Sequence, residues 1–415
     1  MSVRYDAVVI GGGPGGSSSA LLLARAGWSV LLLERKPFPR RKVCGEYLSA
    51  TNLPLFRQLG LADTFLDAAG PDVYRVGLFA GETILSADLP RCPLTLPSPS
   101  DGGEGRVRGA IGWGRALGRE TLDGLLLDRA ARAGTDVRQP WSPTYLIRDG
   151  DCWRGRAESK TTGSILEFTA PIVVAAHGSW EPGSLPSQLG KTVPRPTDLL
   201  GFKAHFRNSD LPTGLMPLLS FPGGYGGMVH TDAGRVSISL CIRRDRLRAI
   251  RAGTGPAGED VEAFVRAACR GVRQALAGAE REGDWLSAGP LRPGVRLRQP
   301  IGIFPVGNAA GEAHPVIAEG ISMALQSGWL LVGELGRWRA KGRRAAELPA
   351  VAAAYATAWR RHFAPRLRAA AVIAQWAMRP FLVRLSLPLL RRFPALLTLG
   401  ARISGKARSV VGRFV

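Results

Sequence analysis

Cysteine is scarce in this 415-residue chain: five residues, scattered, with no CxxC pair among them. An odd number at such spacing argues against a disulfide framework and a zinc site, and for a reducing compartment. Histidine is equally rare, also at five, and no metal-ligand cluster, Ser-His-Asp pattern or internal repeat is evident. Long uninterrupted apolar runs are missing too. Arg379, Pro380, Arg384 and Pro388 break the greasiest stretch, AVIAQWAMRPFLVRLSLPLLRRFPALLTL, so a membrane-spanning helix is not expected. The first apolar strand starts within a few residues of Met1, which leaves no room for a secretory leader and suggests a cytoplasmic protein.

Acidic residues are the other scarcity. The formal charge is +22, yet it is unevenly spread: from Arg337 onward there are seventeen Lys or Arg against one acid, Glu347, and none between Leu348 and Val415. A basic chain first suggests nucleic acid, but here the cations alternate with Leu, Val, Ala, Trp and Phe. That mixture suits helices lying on an anionic bilayer, and nucleic acid is not expected as a partner. The competing reading is a helical pair packed on the body of the protein with a solvated basic face.

Abundant glycine carries the strongest signal. Asp6 to Gly16 reads DAVVIGGGPGG, an apolar strand running into a turn with Gly11, Gly13 and Gly16 at the G-x-G-x-x-G positions. The first glycine permits the tight turn, the second lets the backbone approach a pyrophosphate, and the third lets helix pack close on strand. The helix SSSALLLARAG follows, its N-terminal amides aimed at the phosphates. Glu34 ends the next strand, SVLLLE, about twenty residues on, where a carboxylate can accept ribose hydroxyls. Strand, glycines, helix, strand and acid in this order indicate dinucleotide binding.

At this length two or three packing units are expected. A loop, FPRRKVCGEYLSA, leads to a helix near residues 51–60. Tyr74 to Leu89 alternates as a hairpin turning at AGET, and the Pro- and Gly-dense RCPLTLPSPSDGGEGRVRG reads as an exposed loop. RETLDGLLLDRAARAG is helical, Ile172 to Ala176 is a buried strand, and Leu200 to Arg243 is strand-like with a hairpin at DAGR. EDVEAFVRAACRGVRQALAG reads as one amphipathic helix, IGIFPVG as a short strand, and a long apolar helix follows GNAAGEAHPVIAEG. The expected fold is α/β: a doubly wound nucleotide domain (residues 1–72, 107–185 and 296–340) interrupted by a mostly antiparallel α+β substrate domain (73–106, which includes the exposed loop, and 186–295). A helical tail occupies 341–415.

VVIGGGPGG, LLERKPFPRRKVCGE, the RETLDGLLLDRAARAG helix and GNAAGEAHPVIAEGISMALQSG occur in an order that resembles geranylgeranyl-reductase-like flavoproteins, within the aromatic-hydroxylase and flavin-halogenase group. The resemblance spans roughly residues 1–340 and implies FAD in the N-terminal site. With no second GxGxxG, it implies NADH or NADPH as a transient reductant. By resemblance Gly11, Gly13, Pro14, Gly15 and Gly16 hold the pyrophosphate, and Glu34 and Arg35 lie at the adenosine. Cys44 and Gly45 lie near the flavin, Arg119 contacts the phosphate or ribityl region, and Gly307, Asn308, Gly320 and Ile321 form the later half of the site. Asn308 stands where the family has an acid, and His177 stands where the family has another. The halogenase W-x-W-x-I-P string and the reductase aromatic-proline string are both absent. Hydroxylation of an aromatic or quinone-like lipid is the favoured reaction, with saturation of isoprenoid double bonds as the alternative. A flavin-binding or membrane-surface protein without turnover is the reading from another class.

Among single residues, Cys44 and His314 are the candidates for proton work, each with a structural role as the competing reading. Tyr225 and His230 are candidate substrate-cavity residues. Glu46 and Tyr47 read as capping or packing, Glu319 as a helix-dipole partner, and Trp329, Trp338 and Trp359 as helix packing.

Overall fold

The computed structural model describes residues 2–89, 112–179, 183–190 and 193–406; the loop expected at 91–109 lies outside them. Ala7–Ile10, Val30–Leu33 and Ile172–Ala175 are uninterrupted apolar runs with every residue buried, the pattern of strands covered on both faces. They pair in parallel. Ile303–Pro305 joins beyond Ile172–Ala175 and Asp136–Arg138 beyond Val30–Leu33, giving a five-stranded parallel sheet.

Alternate side chains of these strands enter two different cores. Ala7, Val9, Val30, Leu32, Ile172 and Val174 meet the helices Pro14–Arg25, Arg119–Arg132 and Gly320–Ala340. Val8, Ile10, Leu31, Leu33, Val173 and Ala175 instead meet an antiparallel meander, Trp141–Asp149, Cys152–Ser159 and Ile165–Ala170. The sheet is therefore covered by helices on one face and by a second sheet on the other, which corrects the doubly wound expectation. The meander was not recognised from the sequence, although Asp149-Gly150 supplies a hairpin turn signal.

A second large sheet has seven strands in the order Glu280–Leu291, Leu199–Arg207, Val236–Arg243, Gly224–His230, Leu215–Phe221, Arg75–Ala80, Thr83–Asp88. All its pairs are antiparallel except Leu215–Phe221 with Arg75–Ala80. Its strands come from chain segments that alternate with those of the parallel sheet. One face packs on Ala257–Ala268 and Arg270–Ala275. These were expected as one helix; Cys269 between them is extended, with φ −131° and ψ 108°, because its backbone bridges to Gly81 and its thiol reaches the Ser220 carbonyl at 3.3 Å. Tertiary pairing overrides helical propensity there.

The tail is no appendage. Leu348–Ala377 is a thirty-residue helix whose buried side chains, Tyr355, Trp359, Phe363, Arg366, Ala370, Ala374 and Ala377, recur every three or four residues and form one stripe. Leu348, Tyr355, Trp359 and Phe363 belong to the main helical core, and the Tyr355 hydroxyl donates to the Pro305 carbonyl at 2.7 Å. Two further helices, Pro380–Arg392 and Ala395–Ala401, cover the free face of the seven-stranded sheet. Among the described residues no helix is long and apolar enough to cross a membrane.

One buried ion cluster ties the two large sheets together. Glu46, fully buried with φ 60°, pairs with the Lys203 ammonium and accepts from His205 Nε2 at 2.8 Å and from the Arg119 amide at 3.0 Å. A left-handed backbone at a non-glycine residue costs roughly 1–2 kcal/mol and persists only where its surroundings over-determine it. Burial alone would raise the Glu46 pKa, but the His205 hydrogen bond and the Lys203 charge outweigh it and hold the carboxyl at about 2 against an ordinary 4.5. The folded-state pKa is depressed, so the cluster's stabilisation is present above pH 4.5 and is lost as pH falls towards 2. Glu46→Gln is expected to cost about 3–5 kcal/mol at pH 7, since it leaves a buried ammonium without its counter-charge. The deficit should shrink between pH 4.5 and 3 in denaturant titrations; an equal deficit at both pH values counts against the cluster.

Candidate active site

The carboxyl ends of four parallel strands converge on one cavity of about 860 Å³. Gly11 follows Ala7–Ile10, Glu34 follows Val30–Leu33, His177 lies two residues after Ile172–Ala175, and Gly307 lies two after Ile303–Pro305; all four line it. This is where ligands bind in open parallel sheets. Gly13, Pro14, Gly15, Arg35, Cys44, Gly45, Arg119, Asn308, His314, Gly320 and Ile321 line it as well. Two stretches more than 250 residues apart in sequence thus form one site.

Gly16 is the exception. It is not among the lining residues, and a Cβ there would overlap the Gly11 carbonyl oxygen. Its place in helix–strand packing is the role read for the third glycine of the motif. Gly11 has φ +108°, and a Cβ would stand 2.6 Å from the Ala176 oxygen, so only glycine fits. Glu34 Oε2 accepts the Gly12 amide at 2.8 Å and Oε1 accepts the Lys36 amide at 2.9 Å. A carboxylate has about four acceptor positions, which leaves capacity for ribose hydroxyls.

The rim is cationic. Arg35, Lys36, Arg40, Arg41 and Lys42 all line the cavity, and Arg41 Nε and Nη2 are buried without hydrogen-bond partners. Burial and the neighbouring Arg119 and Arg40 charges pull the Lys42 pKa down to about 8. Arg119 is held by a two-point ion pair with buried Asp123, at 2.7 and 2.6 Å. Burial would lower its pKa, but the Asp123 pairing more than reverses this, so it stays charged. Its helix is capped from the other sheet: Asp232 accepts the Gly118 amide at 3.0 Å and the Thr121 hydroxyl at 3.0 Å.

Glycine cradle, ribose acceptor and partnerless buried guanidinium nitrogens together suit a bound dinucleotide with two phosphates. FAD therefore fits: Gly11, Gly13 and Gly15 would lie at the phosphates, Glu34 at the ribose, and Arg119 and Asn308 further along. Asn308 itself carries no charge, but Glu312, four residues on, is buried in the same wall and accepts from Ser179 Oγ at 2.6 Å. Sequence reading missed it because the family's acid was sought at 308. His177 gives no substitute acid. Its Nδ1–H donates to the Gly178 carbonyl at 2.9 Å, its Nε2 accepts from Ser187 at 3.1 Å, and burial lowers its pKa.

A second cavity, of about 420 Å³, adjoins the first; Val43, Cys44, Gly45, Pro315 and Ala318 line both. Its walls are mostly apolar, with Met216, Leu218, Met228 and Leu240 from the seven-stranded sheet, and Trp376, Leu390 and Leu397 from the C-terminal helices. Tyr225, Cys241 and the serines Ser239, Ser386 and Ser404 are its polar exceptions. The Tyr225 hydroxyl lies 3.3 Å from His314 Nδ1, so a residue of one cavity touches a residue of the other. Burial lowers the His314 pKa, raises that of Tyr225, and pushes the Cys241 thiol up to about 12. Cys44 sits on the partition, its carbonyl accepting from Ser239 at 2.7 Å and its sulfur from the Glu46 amide at 3.4 Å. His230 is elsewhere, bonded to the Leu211 carbonyl at 2.7 Å and lining neither cavity.

Comparison with known proteins agrees with this geometry. The sequence profile of the FAD binding domain family matches residues 4–345. A menaquinone reductase of Mycolicibacterium smegmatis is 25% identical over 98% of this chain and 92% of its own length. A digeranylgeranylglycerophospholipid reductase of Methanopyrus kandleri is 26% identical over 79% of each chain. A myxobacterial chondrochloren halogenase shares the fold with a TM-score of 0.71 at 22% identity, covering 97% of this chain and 91% of that one. A geranylgeranyl bacteriochlorophyll reductase-like protein of Thermoplasma acidophilum does so at 0.68 and 18%, covering 91% and 88%.

Gly13 offers a clean test of the cradle. Its φ is −72°, and a Cβ would find only Arg119 Nη2, at 3.7 Å, so a side chain there enters the cavity without straining the protein. Gly13→Val is expected to keep the thermal midpoint of the apoprotein within a few degrees but to purify colourless, with FAD affinity reduced by about tenfold or more; retention of yellow colour would contradict the assignment. With profile, fold and cavity in agreement, the chain belongs to the FAD binding domain family and is an FAD-binding oxidoreductase similar to the geranylgeranyl reductases and flavin halogenases.

Proposed function

We propose that this oxidoreductase reduces an isoprenoid double bond in a hydrophobic, quinone- or prenyl-type lipid, with NADH or NADPH as the electron source. The observation that carries the reading is the apolar cavity joined to the FAD site across Cys44 and Pro315. Such walls favour a hydrocarbon chain and offer little to a polar substrate. On this reading the seven-stranded sheet is the substrate-side unit, and the parallel sheet holds the cofactor. When bound, FAD would relay two electrons from the nicotinamide to the lipid.

The chain's own contribution is placement and a proton. Saturating a carbon–carbon double bond requires a donor beside the reacting carbon, in a site otherwise dry. Tyr225 and His314 form the one pair in which a phenol of the apolar cavity meets an imidazole of the cofactor cavity among the described residues. At neutral pH the raised Tyr225 pKa keeps its hydroxyl protonated and the lowered His314 pKa keeps its ring neutral, so the phenol holds the proton, and the imidazole restores it by taking a proton from water at one nitrogen as it releases one from the other. Cys44 and Cys241 flank the same junction. Support also comes from the menaquinone reductase, whose similarity spans 98% of the chain, beyond the end of the FAD profile. Hydroxylation of an aromatic lipid would use the same cavity, and product analysis separates the two.

Incubation of the holoprotein with prenylated quinones and NAD(P)H should give a product two mass units heavier; a gain of one oxygen identifies hydroxylation instead. Tyr225→Phe should lower product formation roughly 10²-fold, the scale of a lost general acid. FAD content and the rate of flavin bleaching by the nicotinamide should stay unchanged. Unaltered product formation would remove Tyr225 from the chemistry.

A further inference from the structure

We propose that the outer face of the C-terminal helices docks on an anionic lipid bilayer while their inner face walls the apolar cavity, so that lipid passes from the membrane into the site through this one layer. The Pro380–Arg392 helix has two opposed apolar stripes. Val383, Leu387 and Leu390 are buried against Leu78 and Ala80 of the seven-stranded sheet. Phe381, Leu385 and Leu389 recur at intervals of four on the opposite side and are 69%, 70% and 53% exposed. Phe393, Leu399 and Ile403, in the chain that follows, are 51%, 49% and 57% exposed as well. A soluble surface seldom gathers so many large apolar side chains without a partner.

Charge selects the partner. Arg379, Arg384, Arg391, Arg392 and Arg402 are exposed among these side chains, and no acidic residue occurs from Leu348 to the end of the chain. A second copy seated face to face would oppose arginine with arginine without any intervening carboxylate. Anionic headgroups supply the missing charge, and the acyl boundary accepts the apolar side chains. Thirteen residues cannot span a bilayer but can lie in its surface.

The position of the cavity gives this face its use. Leu390, Leu396, Leu397, Gly400 and Ala401 line the apolar cavity from the same short helices. The wall between cavity and exterior is therefore one helix thick, apolar on both sides. The delivery role rests on the proposed lipid substrate; the docking does not.

The full-length holoprotein is sedimented with vesicles of phosphatidylcholine alone and of phosphatidylcholine with phosphatidylglycerol. Binding is expected only to the anionic vesicles and should weaken as salt rises. The variant Phe381→Ser/Leu385→Ser/Phe393→Ser changes outward side chains only, so its FAD absorbance should match wild type while vesicle binding falls about tenfold or more. With a prenyl lipid substrate, the variant should turn over normally in detergent micelles and lose turnover on anionic vesicles. Equal sedimentation of variant and wild type overturns docking, as does a wild-type dimer that the variant converts to monomer. Equal activity of variant and wild type on vesicles overturns delivery alone. If wild type turns over no lipid in either format, the proposed reaction and the delivery fall together, while sedimentation still decides docking.

Discussion

The pairing of Glu46 with Lys203 and His205 is the constraint on which the site depends. Glu46 lines the cofactor cavity two residues beyond Cys44, which is on the partition between the two cavities, while its partners both sit on the Leu199–Arg207 strand of the seven-stranded sheet. It also accepts the first amide of the Arg119 helix. One carboxylate thus sets three things at once: the course of the Cys44 turn, the start of an arginine-bearing helix, and the seating of one sheet on the other. Asp232 repeats the device from the opposite direction, reaching from a hairpin to cap the same helix. Buried charges of this kind are costly when half-made, which makes the fully made arrangement specific.

What was legible in the sequence is what local chemistry dictates. The glycine turn, the acid ending the second strand, the Arg119 helix and the segment around Gly307 are each readable because each needs particular residues at fixed spacing. Less was legible wherever partners are remote. Glu46 and Lys203 are separated by 157 positions, and nothing beside either announces the other. The helix break at Cys269 follows from a bridge to Gly81, not from a helix breaker. The packing role read for Gly16 has its physical reason in the Gly11 carbonyl, which a Cβ on Gly16 would overlap. The C-terminal region was ambiguous for a physical reason: arginines mixed with apolar residues on a helix suit a packed helix with a solvated basic face and a bilayer surface alike.

The two cavities divide the work by polarity. One is rimmed with cations and backed by glycines; the other is almost wholly aliphatic and aromatic, and they touch where Tyr225 meets His314. The FAD profile ends at residue 345, before the Leu348–Ala377 helix begins. The roof of the apolar cavity is thus built from chain that lies outside the family's shared portion. Variation there could change what is bound without disturbing how the cofactor is held, a familiar arrangement of variable segments on a fixed scaffold.

The stripe from Tyr355 to Phe363 also has a bearing on how the protein is made. Tyr355 donates to the Pro305 carbonyl, and the Trp359 ring lies where a Cβ on Gly311 would stand. During synthesis from the N-terminus, the outer edge of the parallel sheet and the wall after Gly307 stay uncovered until this late helix has emerged. The first half of the cofactor site is born hundreds of residues earlier and must wait. Every residue that lines the cofactor cavity has been made by Ala324, so the late helix only backs that wall, and a stop before Tyr355 leaves the cavity lined but its outer support missing.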